Sequence, residues 1–229
     1  MKKYLASFQT LTKFELGLWT TSMFVSILSF FLSGEKDYLN LIASLIGVTA
    51  LIFVAKGHVL GQLLTIVFAI FYGIISVLCH YYGEMITYLF MSTPMAIIAT
   101  ISWIKHPYKD SKEVEVSTVT KKQVTTMFLL AFFVTLLFYF ILKSLHTANL
   151  FFSTVSITTS FIAAYLTYLR SPFYAIGYCA NDIVLIILWV LASIKDISYL
   201  PMVACFVMFL ANDLYGFYNW KKMQQQQQL

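Results

Sequence analysis

The chain has 229 residues, of which 60% are hydrophobic and 11% are charged, and its formal net charge is +5. A water-soluble domain carries about 25% charged residues, so this composition excludes a soluble fold. The Lys and Arg residues stand at the ends of apolar runs instead of on one polar face, which argues against nucleic-acid binding.

Eight apolar runs occupy nearly the whole chain, each close to the roughly 20 residues that cross a bilayer as a helix. The predicted transmembrane helices are 16–33, 39–55, 59–79, 85–104, 124–142, 149–169, 173–193 and 198–219. The runs are continuous, whereas barrel strands would alternate, so we expect an all-α integral membrane protein. The first run is too long for a signal-peptide core, and no small-residue cleavage site follows it, so we expect it to be retained.

The segments between the runs suggest an internal repeat. Lys56 opens two spans that end at Trp103, and Arg170 opens two that end at Trp220. One further span precedes Lys56 and one precedes Arg170, so a unit of three helices occurs twice. The single helix between the two units lets both of them point the same way through the membrane. The predicted segments are 1–38 (N-terminal helix and loop), 39–105 (first unit), 106–148 (solvated loop and linker helix), 149–222 (second unit) and 223–229 (disordered, glutamine-rich tail).

The distribution of basic residues predicts the orientation. One side of the membrane takes the N-terminus, Lys56, the 105–122 segment, Arg170 and the tail, and it carries all but three of the 15 Lys and Arg residues. The other side takes Lys36, Lys143 and Lys195. By the positive-inside rule, both termini are expected in the cytoplasm.

Two acidic residues are predicted near the middle of the bilayer, in the dipeptides Asn181-Asp182 and Asn212-Asp213. Placing a carboxylate there costs about 3 kcal/mol even on a lenient scale, so a water-filled binding site is expected. The alternative is that these side chains form hydrogen bonds between helices for packing alone. Trp103 and Trp220 fall at cytoplasmic span ends, where aromatic anchors to the interface are common.

Polar or small side chains also recur at helical spacing in three spans. They are Tyr178, Asp182, Leu185 and Trp189; Gln62, Thr65, Ala69, Tyr72 and Ser76; and Ser153, Ser156, Ser160, Ala163 and Thr167. Such stripes serve either a binding site or close helix packing, and for Trp189 an interfacial anchor is the alternative. The candidate substrate-binding residues are Gln62, Tyr72, Tyr88, Tyr178, Asn181, Asp182, Trp189, Asn212 and Asp213.

Signatures of catalysis and of metal binding are missing from the sequence. No Lys or Arg falls in the middle of a span, and the four histidines fall in loops or at helix ends. We therefore expect no catalytic residues, no metal and no cofactor. Cys79, Cys179 and Cys205 lie in apolar runs, and we expect them to be buried thiols.

Three segments resemble the PnuC family of vitamin transporters. They are Tyr82-Gly83-Glu84-Met85-Ile86, the Asn181-Asp182 span leading to Trp189, and the ending Asn212-x-x-x-Gly216-x-x-x-Trp220-Lys221. The resemblance implies a three-plus-one-plus-three core of parallel repeats, similar to the SWEET sugar transporters, with an extra N-terminal helix and often a homotrimer. It also implies uptake of nicotinamide riboside into bacteria by facilitated diffusion, with trapping by a separate kinase. Relatives carry thiamine, riboflavin or deoxynucleosides.

The residues are compatible with nicotinamide riboside. Its flat pyridinium cation suits aromatic faces and a carboxylate, and its carboxamide and ribose suit Asn, Gln and Asp. Thiamine satisfies the same reasoning, and a transporter coupled to protons or sodium through Asp182 or Asp213 is a further alternative. The absence of basic residues in the middle of the spans argues against a phosphorylated substrate, although helix N-termini could replace them.

The charge distribution leads to a topological prediction. Reporter tags placed after Leu229 and within 108–118 should both report the cytoplasm, and a tag within 34–38 should report the outside. A C-terminal tag found outside would contradict the arrangement of eight spans.

Overall fold

A computed structural model of the chain describes residues 8–32, 38–78, 82–109, 111–147, 149–195, 197 and 200–228. Within these residues, 8 helices are long and apolar enough to cross a membrane, as predicted. The elements are α1 (Lys13–Leu32), α2 (Tyr38–Ala55), α3 (Val59–Leu78), α4 (Tyr82–Ile86), a π-helical turn (Thr87–Ser92), α5 (Thr93–Lys105), α6 (Lys121–Ser144), α7 (Leu150–Tyr168), α8 (Tyr174–Lys195) and α9 (Leu200–Gln227). The fourth span combines α4, the π turn and α5.

Two sets of three spans each pack in chain order, and we call each set a unit. The first unit consists of α2, α3 and the α4–α5 span, and the second consists of α7, α8 and α9. In each unit the last helix also packs against the first helix of the other, because α5 contacts α7 and α9 contacts α2. Helix α6 lies on α7, and α1 lies on α2 and α9.

Trp103 and Trp220 form the contact between the two units, and the prediction that they are surface anchors is wrong. Both side chains are 0% exposed, and their ring centroids lie 5.2 Å apart. The Trp103 Nε1 donates to the backbone oxygen of Thr167 at 2.9 Å, and the Trp220 Nε1 donates to that of Val54 at 2.9 Å. Each indole therefore binds a carbonyl group in the C-terminal turn of the other unit's first helix.

The two turns that accept these indoles have the same geometry. Gly57 (φ 66°) and Arg170 (φ 58°) adopt the left-handed conformation just beyond α2 and α7. In each turn, this residue and the next donate their backbone N–H groups into the last helical turn, as in a Schellman motif. The conformation costs a residue with a Cβ roughly 1–2 kcal/mol. The Arg170 Nε donates to the Glu115 carbonyl at 3.1 Å, which offsets part of that cost.

The linker before α6 is packed against this end of the bundle, although we predicted a solvated loop. Val114 is 0% exposed. The Val114 N donates to the Gly57 oxygen and the Ser117 N donates to the Arg170 oxygen, both at 2.9 Å. The linker thus joins the two equivalent turns, and we call this end of the bundle the basic end.

The predicted disorder of 223–229 is also corrected, up to Gln228, because α9 continues to Gln227. Met223 is buried. The Gln227 side chain donates to the Val114 oxygen at 3.1 Å and accepts from the Val116 N at 2.7 Å. These two bonds give the polar tail a partner in the linker. Leu229 lies outside the described residues.

Helix α1 is attached by a buried ion pair that the sequence did not indicate. Thr12 and Glu15 form a capping box at its start. Glu15 is 1% exposed, and its carboxylate accepts from the Lys56 Nζ at 3.1 Å and from the Tyr215 hydroxyl at 2.9 Å. A buried charge pair of this kind is costly to break, because removing one partner leaves the other charge without compensation.

The indole contacts can be tested by mutation. We expect Trp220→Phe to lower the stability by roughly 1–3 kcal/mol, because it removes a buried hydrogen bond between the units. Trp19→Phe is the matched control, since the Trp19 Nε1 also donates a side-chain hydrogen bond, at 3.1 Å to the Thr49 hydroxyl, but its indole is only partly buried. Melting temperatures in detergent should fall more for Trp220→Phe. Equal losses would contradict a special role for the Trp220 bond.

Candidate functional site

A cavity of about 390 Å³ lies between the two units. Its walls come from α3, α4, the π turn, α7 and α8, with Leu142 from α6 and Phe206 from α9. The segment between α6 and α7 also lines it, and the cavity reaches His146 and Lys195 at the end opposite the basic end. At the basic end the units are closed by a buried cluster that includes Val54, Trp103, Val114, Tyr174, Trp220 and Met223. The volume lies within the range of small-molecule binding sites.

The cavity combines polar groups with aromatic walls. The side chains that can form hydrogen bonds are Tyr72, Glu84, Thr87, Tyr88, His146, Thr147, Asn149, Ser153, Ser156, Ser160, Asn181, Trp189 and Lys195. Four of the predicted candidates therefore line the same cavity: Tyr72, Tyr88, Asn181 and Trp189. A cavity of this composition suits a ligand that has both a flat ring and several polar groups.

Asn181 is held by α7 and keeps donors for a ligand. Its Oδ1 accepts from the hydroxyls of Ser156 at 3.1 Å and Thr159 at 3.0 Å. The side chain is 6% exposed and lines the cavity. Because both bonds use the oxygen, the Nδ2 can donate to an acceptor in the cavity.

Tyr72, Tyr88 and Glu84 form the opposite wall. The rings of Tyr72 and Tyr88 have centroids 4.6 Å apart, and Phe68 packs against both. The Tyr72 hydroxyl donates to the Glu84 Oε2 at 2.8 Å. Sequence reasoning missed Glu84, because it placed the start of the fourth span at residue 85. The structure begins that helix at Tyr82, which brings Glu84 into the cavity wall.

Trp189 also faces the interior instead of the membrane interface. It is 6% exposed and packs in a cluster with Phe206 and Phe209. Leu185, one turn earlier on the same predicted stripe, lines the cavity beside it. The position of Trp189 favours the site over the interfacial anchor.

Four further candidates, from three different helices, lie outside the cavity lining. Asp182 is 3% exposed and Asp213 is 4% exposed, and they lie on the packed helices α8 and α9. Tyr178 packs against the buried cluster at the basic end. Gln62 is buried in the first turn of α3, near the same end. None of these four lines the cavity in this conformation, and their contact with substrate stays a prediction.

Asn212 is used for packing in this conformation. Its Nδ2 donates to the Ser22 hydroxyl of α1 at 3.0 Å and to the Met208 oxygen at 2.7 Å. Gly216, one turn later, gives room to another helix: a Cβ there would stand 2.9 Å from the Tyr174 hydroxyl oxygen. Asn212 is thus separated from the cavity, although it occupies the same Asn-Asp context as Asn181.

The small-residue stripe of α7 serves two purposes. Ser153, Ser156 and Ser160 line the cavity. Further along, Ala163 is 0% exposed and so close to α8 that a Cβ on Gly177 would lie 2.9 Å from its Cα. One half of the stripe therefore faces a site and the other half permits close helix contact.

Among the described residues that line the cavity there is no cysteine. Within the described ranges, no three or more His, Cys, Asp or Glu side chains are grouped to hold a metal ion. Cys179 and Cys205 are buried thiols, as predicted, and Cys79 lies outside the described residues.

Eight membrane-length helices with a polar, small-molecule-sized cavity between two units define a multi-pass membrane protein of the transporter class. The chain matches the family model described as nicotinamide mononucleotide transporter over residues 37–222. It therefore belongs to this bacterial family, the PnuC family of transporters, and is not an enzyme.

Similar proteins agree with this assignment. The chain is 26% identical over 219 residues to the nicotinamide riboside transporter PnuC of Neisseria mucosa, covering 90% of this chain and 83% of the relative. It is 22% identical over 208 residues to the transporter of the same name from Haemophilus influenzae, covering 90% and 89%. The crystal structure of a vitamin B3 transporter PnuC superposes with a TM-score of 0.79 at 24% identity, covering 94% of each chain. The fold is therefore PnuC-like.

The same substitution at the two asparagines separates binding from packing. We expect Asn181→Leu to reduce transport at least tenfold, about 1.4 kcal/mol, with a small change in melting temperature, because it removes cavity donors. Asn212→Leu should instead lower the melting temperature and leave transport by the remaining folded protein near normal. Uptake per folded protein and thermal unfolding would be measured for both variants. Reversed results would place Asn212 at the substrate and Asn181 in the packing.

Proposed function

We propose that this protein imports nicotinamide riboside by facilitated diffusion and that a separate kinase traps the product inside the cell. The proposal rests on the two relatives that carry this function in their names and on the contents of the cavity. The observation that most supports the proposal is the lining of the cavity, in which Tyr88 and Glu84 come from one unit and Asn181 and Trp189 come from the other.

The chemistry of these walls matches the parts of the substrate. A pyridinium ring is a flat cation, which is attracted to aromatic faces and to a carboxylate. The carboxamide and the ribose hydroxyls can accept from the Asn181 Nδ2 and bond with the serine hydroxyls of α7. Thiamine is also cationic and fits the same description, and riboflavin and deoxynucleosides are carried by relatives, so these compounds serve as competitors in the test below.

A nucleoside suits this cavity better than a nucleotide. A phosphate group requires several cationic or N–H donors around it. Lys195 is the cationic side chain among the described cavity residues, and it lies beside the opening instead of deep in the cavity. We therefore favour nicotinamide riboside over its mononucleotide.

We further propose a three-plus-one-plus-three arrangement of parallel repeats, 39–105 and 149–222, joined by 106–148 and preceded by 1–38. The matching turns at Gly57 and Arg170 and the reciprocal indole bonds support it. Rocking of one unit against the other would open the basic end and close the cavity end. With both termini in the cytoplasm, the cavity faces the outside in the present conformation. Assembly as a homotrimer follows from the family resemblance.

Coupling to an ion is the second candidate mechanism. The burial of two carboxyl groups on the packed helices α8 and α9, those of Asp182 and Asp213, favours it. A buried carboxyl group is a candidate proton carrier, because an unpaired negative charge is costly inside a membrane. A proton bound there could leave as the units move.

Transport into proteoliposomes distinguishes these mechanisms. We expect labelled nicotinamide riboside to enter until its concentrations inside and outside are equal, with no effect of an imposed proton or sodium gradient. Unlabelled thiamine, riboflavin, a deoxynucleoside and nicotinamide mononucleotide would be tested as competitors. Accumulation driven by a gradient would support the ion-coupled mechanism. Entry of labelled thiamine, measured separately, without entry of nicotinamide riboside would show that the substrate assignment is wrong.

A further inference from the structure

Glu84 is the single carboxylate among the described residues that line the cavity. It follows Gly83 in the first turn of the fourth span, and Tyr88 stands one turn further on, in the π-helical segment. The side chain is only partly buried by the protein, so one face of the carboxyl group is directed to the cavity. Its position is therefore suitable for direct contact with a bound molecule.

The Glu84 carboxylate is fixed in position and has no ion-pair partner among the described residues. The Tyr72 hydroxyl, on a side chain 7% exposed, donates to its Oε2 at 2.8 Å. In the described part of the chain, the ion pair formed is that of Glu15 with Lys56, so no Lys or Arg there lies within 4.0 Å of Glu84. The other titratable groups of the cavity are Tyr88 beside Glu84, and His146 and Lys195 near the opening.

A carboxylate without a cationic partner, in a largely apolar cavity, favours a ligand that brings the positive charge with it. The walls next to it are the tyrosine rings, whose faces also attract a cation. We propose that Glu84, positioned by Tyr72, makes this cavity select a positively charged ring over a neutral ring of the same shape. This specificity role rests on the proposed transport of nicotinamide riboside.

The purely structural alternative is that Glu84 only joins α4 to α3 through Tyr72. Glu84→Gln separates the two roles, since it keeps the shape and an acceptor for the Tyr72 hydroxyl but removes the charge. The discriminating pair of substrates is nicotinamide riboside and its reduced form. Both have the same ribose and carboxamide, but the reduced ring is an uncharged dihydropyridine.

The experiment measures the initial uptake of both compounds into proteoliposomes, well below saturation, together with the melting temperature of each variant. We expect Glu84→Gln to reduce uptake of the cation at least tenfold and to change uptake of the neutral form less than twofold. Glu84→Asp, which retains the charge, should recover part of the discrimination. Tyr72→Phe should lower the ratio of cation to neutral uptake by about threefold, because the carboxylate is less well positioned.

Other outcomes would overturn the proposal. An equal fall for both compounds, accompanied by a lower melting temperature, would leave Glu84 with a structural role only, and unchanged uptake of both would remove it from the site. If Glu84→Gln gives no folded protein, the ratio in Tyr72→Phe decides, and an unaltered ratio contradicts the proposal. If wild-type protein transports neither compound, the proposed function itself fails, and the cation selectivity that rests on it fails too.

Discussion

The reciprocal bonds of Trp103 and Trp220 are the contact on which the rest of the structure depends. Each indole donates to the last turn of the other unit's first helix, and the two rings pack against each other with no exposure. The linker adds bonds to both turns, and Gln227 holds the linker. These contacts close the bundle at the basic end. A conformation open at the basic end must break them.

The cavity is the space left at the unclosed end, and its chemistry follows from the membrane environment. Polar groups inside a bilayer need partners: Tyr72 pairs with Glu84, and Asn181 pairs with the hydroxyls of Ser156 and Thr159. These two sets keep binding capacity for a ligand, namely a carboxylate and the amide hydrogens of Asn181. Asp182 and Asp213 are buried on the packed helices α8 and α9, outside the cavity lining.

Hydropathy was sufficient to predict the eight spans, because each must supply enough apolar length to cross the bilayer. The same constraint marked Tyr72, Asn181 and Trp189 as interior, since lipid-facing positions have no use for them. What it could not reveal was the partner of each side chain. Asn181 and Asn212 have the same sequence context, and only the fold places Ser22 of α1 beside the second one. The burial of Trp103 and the helical conformation of the tail likewise depend on contacts with residues distant in the chain. Glu84 was not predicted as a site residue, because the predicted fourth span began at residue 85 and the helix begins at Tyr82.

The central claim is that nicotinamide riboside binds between Tyr88 and Glu84 on one wall and Asn181 and Trp189 on the other. An experimental structure of the protein saturated with nicotinamide riboside tests it most directly. The account predicts the pyridinium ring against Tyr88 and close to the Glu84 carboxylate, with an oxygen of the ligand within hydrogen-bonding distance of the Asn181 Nδ2. A ligand bound elsewhere, for example beside Asn212 and α1, or a ligand in the cavity with its ring turned away from Glu84, would contradict it.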